Sequence, residues 1–265
     1  MSRPAEAAPG HGDVLRVLAP NPGPMTLEGT NTYVVGRDPA WVIDPGPDDA
    51  GHIEAVRALA EQRGGIAGVL LTHSHADHTA GVERLGAEVL WGAVGSGDEL
   101  TPADGTPKAA VADALFRVGP FTAIPTPGHA ADHACFLYGR VLLCGDLVLG
   151  HGSSIVPPAA YGGSLAGYMR SLDAVAELDA ELLAPGHGPW ITDPAAKIAE
   201  YRQHRLDRER KLVAALESGE RSRGALLDAA WDDVPAPLRG AAAMAMQAHL
   251  DKLEADGRLP SGLMP

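Results

Sequence analysis

The stretch LLTHSHADHTAG, residues 70–81, sets His73, His75, Asp77 and His78 within six consecutive positions behind a short apolar run. Imidazole nitrogens and carboxylate oxygens are the ligands a catalytic zinc ion takes, with one position left open for water. His73 and His75, two apart on a loop, can converge on one ion. Asp77 and His78 are adjacent, point differently and suit a second ion. The alternative is a solvated loop that happens to be rich in histidine, and that loop would need no further ligands elsewhere.

A metal site does need them, and strand-terminal loops are where such folds gather functional groups. Three positions match. TPGHA ends a strand at His129, LLCGD at Asp146 and LLAPGHG at His187, each an apolar run followed by Gly and a ligand-type residue. Gly-His also stands at 10–11 and 150–151. However, His11 lies in a Pro/Gly-rich terminus, and His151 comes only five residues after Asp146. His133, four residues past His129, could support a ligand or donate a proton. The reading favoured for it is a hydrogen-bonded ring at the start of a buried strand.

The elements that must position these groups alternate. TYVVG and AWVIDPG read as strands around a turn. Residues 48–63 place Ile53, Val56, Leu59 and Ala60 at helical spacing. GVLLT is a fully buried strand, and EVLW, FTAIPT, HACFLY and RVLLCG are further strands. Gly139-Arg140 is a two-residue hairpin turn whose register sets Cys135 opposite Cys144. Two such cysteines are expected to stay free and buried, because directly opposed strand residues stand farther apart than a disulfide wants. Residues 164–179 carry a helical apolar stripe, and ELLAPGHG is a strand running into a loop. The sum is an α/β fold of sheets covered by helices. After Pro194, residues 195–218, 222–232 and 236–257 read as helical throughout. The domain expectation is therefore a tail and first strand entry over 1–20, a catalytic unit over 21–194 and a small helical domain over 195–265.

The 265 residues are 45% hydrophobic and 21% charged, with a net charge of −13. Residues 195–265 hold 11 acidic and 11 basic side chains, so residues 1–194 carry the whole deficit. Such a balance gives no global attraction for nucleic acid or anionic membrane. No apolar run approaches the ~20 residues of a membrane span. The N-terminus shows no secretory or import pattern, and two cysteines are too few for a disulfide framework. A soluble cytoplasmic protein is the expectation.

These motifs together resemble the metallo-β-lactamase-fold hydrolases, whose αββα sandwich carries a dinuclear metal site along one edge. The resemblance implies His73, His75 and His129 on one zinc, Asp77, His78 and His187 on the other, and Asp146 bridging. Manganese or iron could replace zinc. It also implies hydrolysis by a hydroxide bridging the ions, with Asp77 and Asp146 as the catalytic carboxylates. Asp146 stands where cysteine-using zinc β-lactamases carry Cys, which disfavours antibiotic hydrolysis and resembles the glyoxalase II and tRNA 3′-processing nuclease branches. NPGPMTLEGTNTYVVG, residues 21–36, resembles the opening of the lactamase-β-like protein 2 family, whose studied members cleave single-stranded RNA. TPGHAADHACF, the Gly-His-Gly at 186–188 and HRLDRER at 204–210 agree with it, and the resemblance implies a C-terminal domain of winged-helix type. Polyketide-pathway thioesterases resemble the same N-terminal stretch.

Three classes of function follow. A single-stranded RNA endoribonuclease would use the basic run of residues 197–211, with Arg202 and Arg205 as phosphate contacts. The bland alternative for that run is a solvated face laced with pairs such as Arg205–Glu209. An acyl hydrolase, acting on a small ester or thioester, would need an apolar channel rather than a basic groove. A non-catalytic binding module would not need the full ligand set. The sequence favours RNA, with acyl hydrolysis as the alternative, and leaves oligomeric state open.

Overall fold

The computed structural model describes residues 4–92 and 115–262. Its strands pair into two sheets. The first, in order β1 to β6, comprises Glu6–Ala8, His11–Leu18, Asn31–Val35, Ala40–Ile43, Ile66–Leu70 and Val89–Trp91. In the second, β7 (Phe116–Val118), β8 (Phe121–Pro125), β9 (Ala134–Tyr138) and β10 (Val141–Gly145) form a meander, and β11 (Leu182–Pro185) adds in parallel to β10.

Alternation along the strands explains why the sheets stack. Val14, Tyr33, Val35, Ile43 and Leu70 of the first sheet meet Phe121, Ala123, Phe136, Val141 and Leu143 of the second in one core. The intervening residues face outward, and helices cover them. On the first sheet, Val34, Val42 and Val69 pack on α1 (Ala50–Glu61) and α3 (Val82–Leu85), the latter preceded by the short α2 (Ala76–Thr79). On the second, Ile124, Cys135, Leu142 and Cys144 pack on Leu165, Tyr168 and Leu172 of α4 (Leu165–Ala176). The result is the expected αββα sandwich. Asp49 and Ser164 start α1 and α4 by accepting from the backbone N–H groups of His52 and Gly167.

The hairpin register is the expected one, pairing Tyr138 with Val141 and Phe136 with Leu143. Both cysteines are free and buried, and burial pushes the Cys135 thiol up to about 12. Residues 6–18, set apart in the sequence reading as tail and strand entry, form the outer two strands of the first sheet. His11 lies within β2.

The chain ends in α5 (Pro194–Glu217), α6 (Arg223–Ala230) and α7 (Arg239–Ala255), which enclose a core of Leu212, Leu216, Leu226, Trp231, Met246 and Leu250. Among the described residues from 195 onward the named elements are helical, as expected. Ile198 and Tyr201 of α5 and Ala248 of α7 join the α4 core, which seats the helices against the sandwich.

His249 on α7 is 1% exposed, and neither ring nitrogen has a partner. Burial, then the positive Arg205 and Lys252, push its pKa down from 6.5 to about 3. The folded protein therefore keeps His249 neutral while the unfolded chain takes up a proton below pH 6.5. Stability falls as pH drops from 6.5 toward 3, by about 1.4 kcal/mol per unit. Urea unfolding of His249→Leu should lose roughly 2 kcal/mol less than the wild type between pH 7 and pH 5. An identical pH dependence in the two proteins would refute this.

Candidate metal centre

The groups singled out in the sequence meet along one edge of the sandwich, each at a strand's end. Asp44 follows β4, His73 to His78 follow β5, His129 follows β8, Asp146 follows β10 and His187 follows β11. Two glycines permit the approach. Gly145 holds φ of +45°, and a side chain there would meet Thr72 Oγ1 at 2.6 Å and His133 Nε2 at 2.8 Å. At Gly186, a Cβ would stand 2.4 Å from Asp146 Oδ1. Gly186 thus leaves space for Asp146 and His78 themselves, while Gly145 leaves it for Thr72 and His133, which support them.

Four imidazoles have their Nδ1 committed. His78 donates to Asp44 Oδ2 (2.8 Å), His129 to the Ile155 carbonyl (2.7 Å), and His187 to the Gly29 carbonyl (3.2 Å). His73 faces Thr72 Oγ1 at 3.0 Å, and that hydroxyl donates to Asp44. Each ring therefore presents the Nε2 lone pair inward. His73 Nε2 lies 2.9 Å, and His129 Nε2 3.1 Å, from His75 Nδ1. With the tautomers so fixed, the His73 and His129 Nε2 atoms carry no hydrogen to share with His75.

The second group is similar. His187 Nε2 stands 3.2 Å from Asp77 Oδ2, and His78 Nε2 stands 3.5 Å from the same oxygen. Asp146 reaches both groups, with Oδ2 3.6 Å from His129 and Oδ1 3.5 Å from both His78 and His187. Donors arranged tetrahedrally about 2.0–2.1 Å from one ion lie roughly 3.3 Å apart, which is the spacing found. His78 Nε2 and Asp146 Oδ1 are buried with no hydrogen-bond partner. Lone pairs gathered at this spacing, two of them orphaned, fit a cation. His73, His75 and His129, then Asp77, His78 and His187, are two sets that could each hold a metal ion, as could His73, His78 and Asp146.

Charges agree. Burial lowers the His78 and His187 pKa values, but Asp146 with Asp44 or Asp77 outweighs it, raising His78 to about 9 and His187 to about 11. Burial opposes ionisation of Asp146, yet His187 and His78 hold its carboxyl well below the usual range. The raised values reflect the negative charge the carboxylates gather there, which a bound cation would offset.

Sequence reasoning missed Asp44, which is 2% exposed and takes the Thr72 N–H (2.7 Å), the Thr72 hydroxyl (2.7 Å) and His78. Its signal was an acid closing the apolar run AWVI. The role of residues 29–33 was missed as well. Gly29 orients His187, while Asn31 and Tyr33 donate to the Pro185 carbonyl at 2.9 and 2.7 Å. His133 is the hydrogen-bonded ring favoured for it, and it also touches the Asp146 backbone. Its ring is buried on Thr126 (2.8 Å), and its Nε2 accepts the Asp146 N–H (3.1 Å). His151 faces outward, 2.9 Å from Glu28.

The basic helix is not the expected groove. Arg202 pairs with Asp173 (2.7 Å), Lys197 with Glu200, Arg208 with Asp233, Lys211 with Asp232 and Arg210 with Asp207. Arg205 is 4% exposed, which corrects its assignment as a surface phosphate contact. The reason is periodicity: Ile198, Tyr201, Arg205, Arg208, Leu212 and Leu216 form the one buried stripe of α5. Glu209, the suggested partner of Arg205, pairs with Lys252 and Arg258 instead.

A family model described as the metallo-beta-lactamase superfamily matches residues 25–89 and 96–187. The chain belongs to the metallo-beta-lactamase superfamily. It is 42% identical to a lactamase-like protein of Aspergillus niger over 77% of this chain and 64% of that one, just under two thirds of the relative's length. It is 39% identical to an atrochrysone carboxyl ACP thioesterase of Aspergillus chevalieri over 80% of this chain and 68% of the relative. A beta-lactamase-like protein 2 homolog of Caenorhabditis elegans is 33% identical over 92% and 85%. The crystal structure of a metallo-beta-lactamase family protein from Thermus thermophilus superposes with a TM-score of 0.69, 25% identity and coverage of 92% and 94%.

His187→Ala is expected to lose bound metal, and His151→Ala to retain it. Asp44→Ala, which touches no proposed ion, should weaken zinc binding by roughly 10–100-fold. Zinc titrations of the three variants provide the check, and equal losses in His187→Ala and His151→Ala would overturn the assignment.

Proposed function

We propose that the protein is a metal-dependent acyl hydrolase, cleaving small esters and in particular thioesters. The observation that carries this reading is a cavity of about 260 Å³ reaching His129 and Asp146. Its wall is largely apolar, from Met25, Leu27, Leu149, Trp231, Val234 and Ala245. Pockets of this kind bury an apolar body and orient it through a few polar groups. A phosphodiester strand would need free cations instead, and the exposed basic residues of α5 are already paired. The thioesterase named among the relatives supports the same reading.

His73, His75 and His129 would hold one divalent ion, Asp77, His78 and His187 a second, with Asp146 shared between them. Bound there, such ions would act as Lewis acids toward the acyl oxygen and would ionise water at neutral pH. The chain's own residues do the rest. Burial opposes ionisation of Asp77, yet its surroundings hold the carboxyl below the usual range, so Asp77 stays ionised. It sits at the more open side of the site, where it orients the attacking water and takes its proton. His133 fixes the Asp146 backbone through the N–H it accepts, and so sets the carboxylate between the two groups. The cavity wall excludes bulk water from the acyl chain and leaves its carbonyl at the metal edge.

Zinc- or manganese-loaded protein should turn over acyl thioesters and leave single-stranded RNA whole. His75→Ala and Asp146→Asn should bring thioester hydrolysis close to background. Cleavage of the RNA by a fully loaded preparation that leaves thioesters intact would reverse the choice between the two substrate classes.

A further inference from the structure

Arg205 is a buried cation whose charge no carboxylate among the described residues balances. One guanidinium N–H donates to the Ser154 carbonyl, and the group lies 5.2 Å from the Tyr168 ring centroid. Its Nε is buried without a partner. Among the described residues no carboxylate pairs with it, whereas Arg202, Arg208 and Arg210 on the same helix each have one. A desolvated charge is costly to keep unpaired, so a group retained this way is poised for an anion that arrives later.

Its location says which anion. Arg205 lines the same cavity as His129 and Asp146. Ser154 links the two ends, its carbonyl accepting from Arg205 and its hydroxyl donating to the Asp146 carbonyl at 2.6 Å. Arg208, also on the cavity wall, is already neutralised by Asp233 at 2.7 Å. Among the described residues, the cavity thus offers one uncompensated planar cation within an apolar wall that also reaches His129 and Asp146. A guanidinium fork matches a carboxylate oxygen pair. A phosphodiester strand repeats its charge at every nucleotide and needs several cations.

Resting on the acyl-hydrolase reading, we propose that Arg205 recognises a carboxylate borne by the acyl part of the substrate, which makes the preferred substrate a carboxyl-bearing acyl thioester. The acid would sit on Arg205 with its apolar body against Trp231 and Ala245, and the scissile carbonyl would face His129 and Asp146.

The test compares two benzoyl thioesters on metal-loaded protein, one with a second, free carboxylate on the ring and one with that group as its primary amide. The wild type should favour the acid by about tenfold or more in kcat/KM, as expected for charge-assisted hydrogen bonds. In Arg205→Met the ratio of acid to amide should fall to near one, and Arg205→Lys, which keeps the charge without the fork, should lie between. Calorimetric titration of the same loaded proteins with benzoate gives a reading independent of turnover, with affinity expected to drop about tenfold in Arg205→Met. An unchanged ratio and unchanged benzoate affinity in the variants would overturn the proposal. If neither thioester is hydrolysed while benzoate binding still depends on Arg205, the acyl-hydrolase reading fails and the carboxylate site stands.

Discussion

Five imidazoles and two carboxylates share one edge of this protein, most of them buried, and their ligand atoms crowd together. Such an arrangement repels itself unless positive charge stands between the groups. Every other feature of the site follows from that constraint. The outward nitrogens of four rings are tied to Asp44, Thr72 and two backbone carbonyls, so the rings cannot turn away to find water. The strand ends that carry them belong to two sheets packed on a common core, which gives the loops little freedom to spread.

Asp44 carries much of this load. It holds the backbone and hydroxyl of Thr72 and the ring of His78, and so connects the end of β4 to the whole histidine loop. On the opposite side, residues 29–33 reach across to the loop of His187. The two sheets therefore meet through polar contacts at the metal edge as well as through their apolar faces. The same scaffold sets the cavity: the helices from α5 onward close over the open end of the site, and Tyr201 bonds the Leu149 N–H at 2.9 Å to seat them.

The sandwich was legible in the sequence because its strands alternate or run apolar throughout, and the ligands because each follows a strand and a glycine. What escaped was long-range. Asp44 looked like a turn residue before Pro-Gly, since nothing local shows that it will meet His78 34 positions later. Arg205 looked exposed because charge was read without periodicity. Set beside Ile198, Tyr201, Leu212 and Leu216, its position lies within the helix's apolar stripe. The winged-helix expectation came from resemblance alone, and of it the described residues show the helices.

We propose that these seven side chains bind two ions with Asp146 shared between them. Anomalous diffraction from zinc-loaded crystals, collected on either side of the zinc absorption edge, tests it directly. Two peaks about 3.5–4 Å apart are predicted, one enclosed by His73, His75 and His129 and the other by Asp77, His78 and His187. A single peak, or zinc bound anywhere other than this edge, would contradict it.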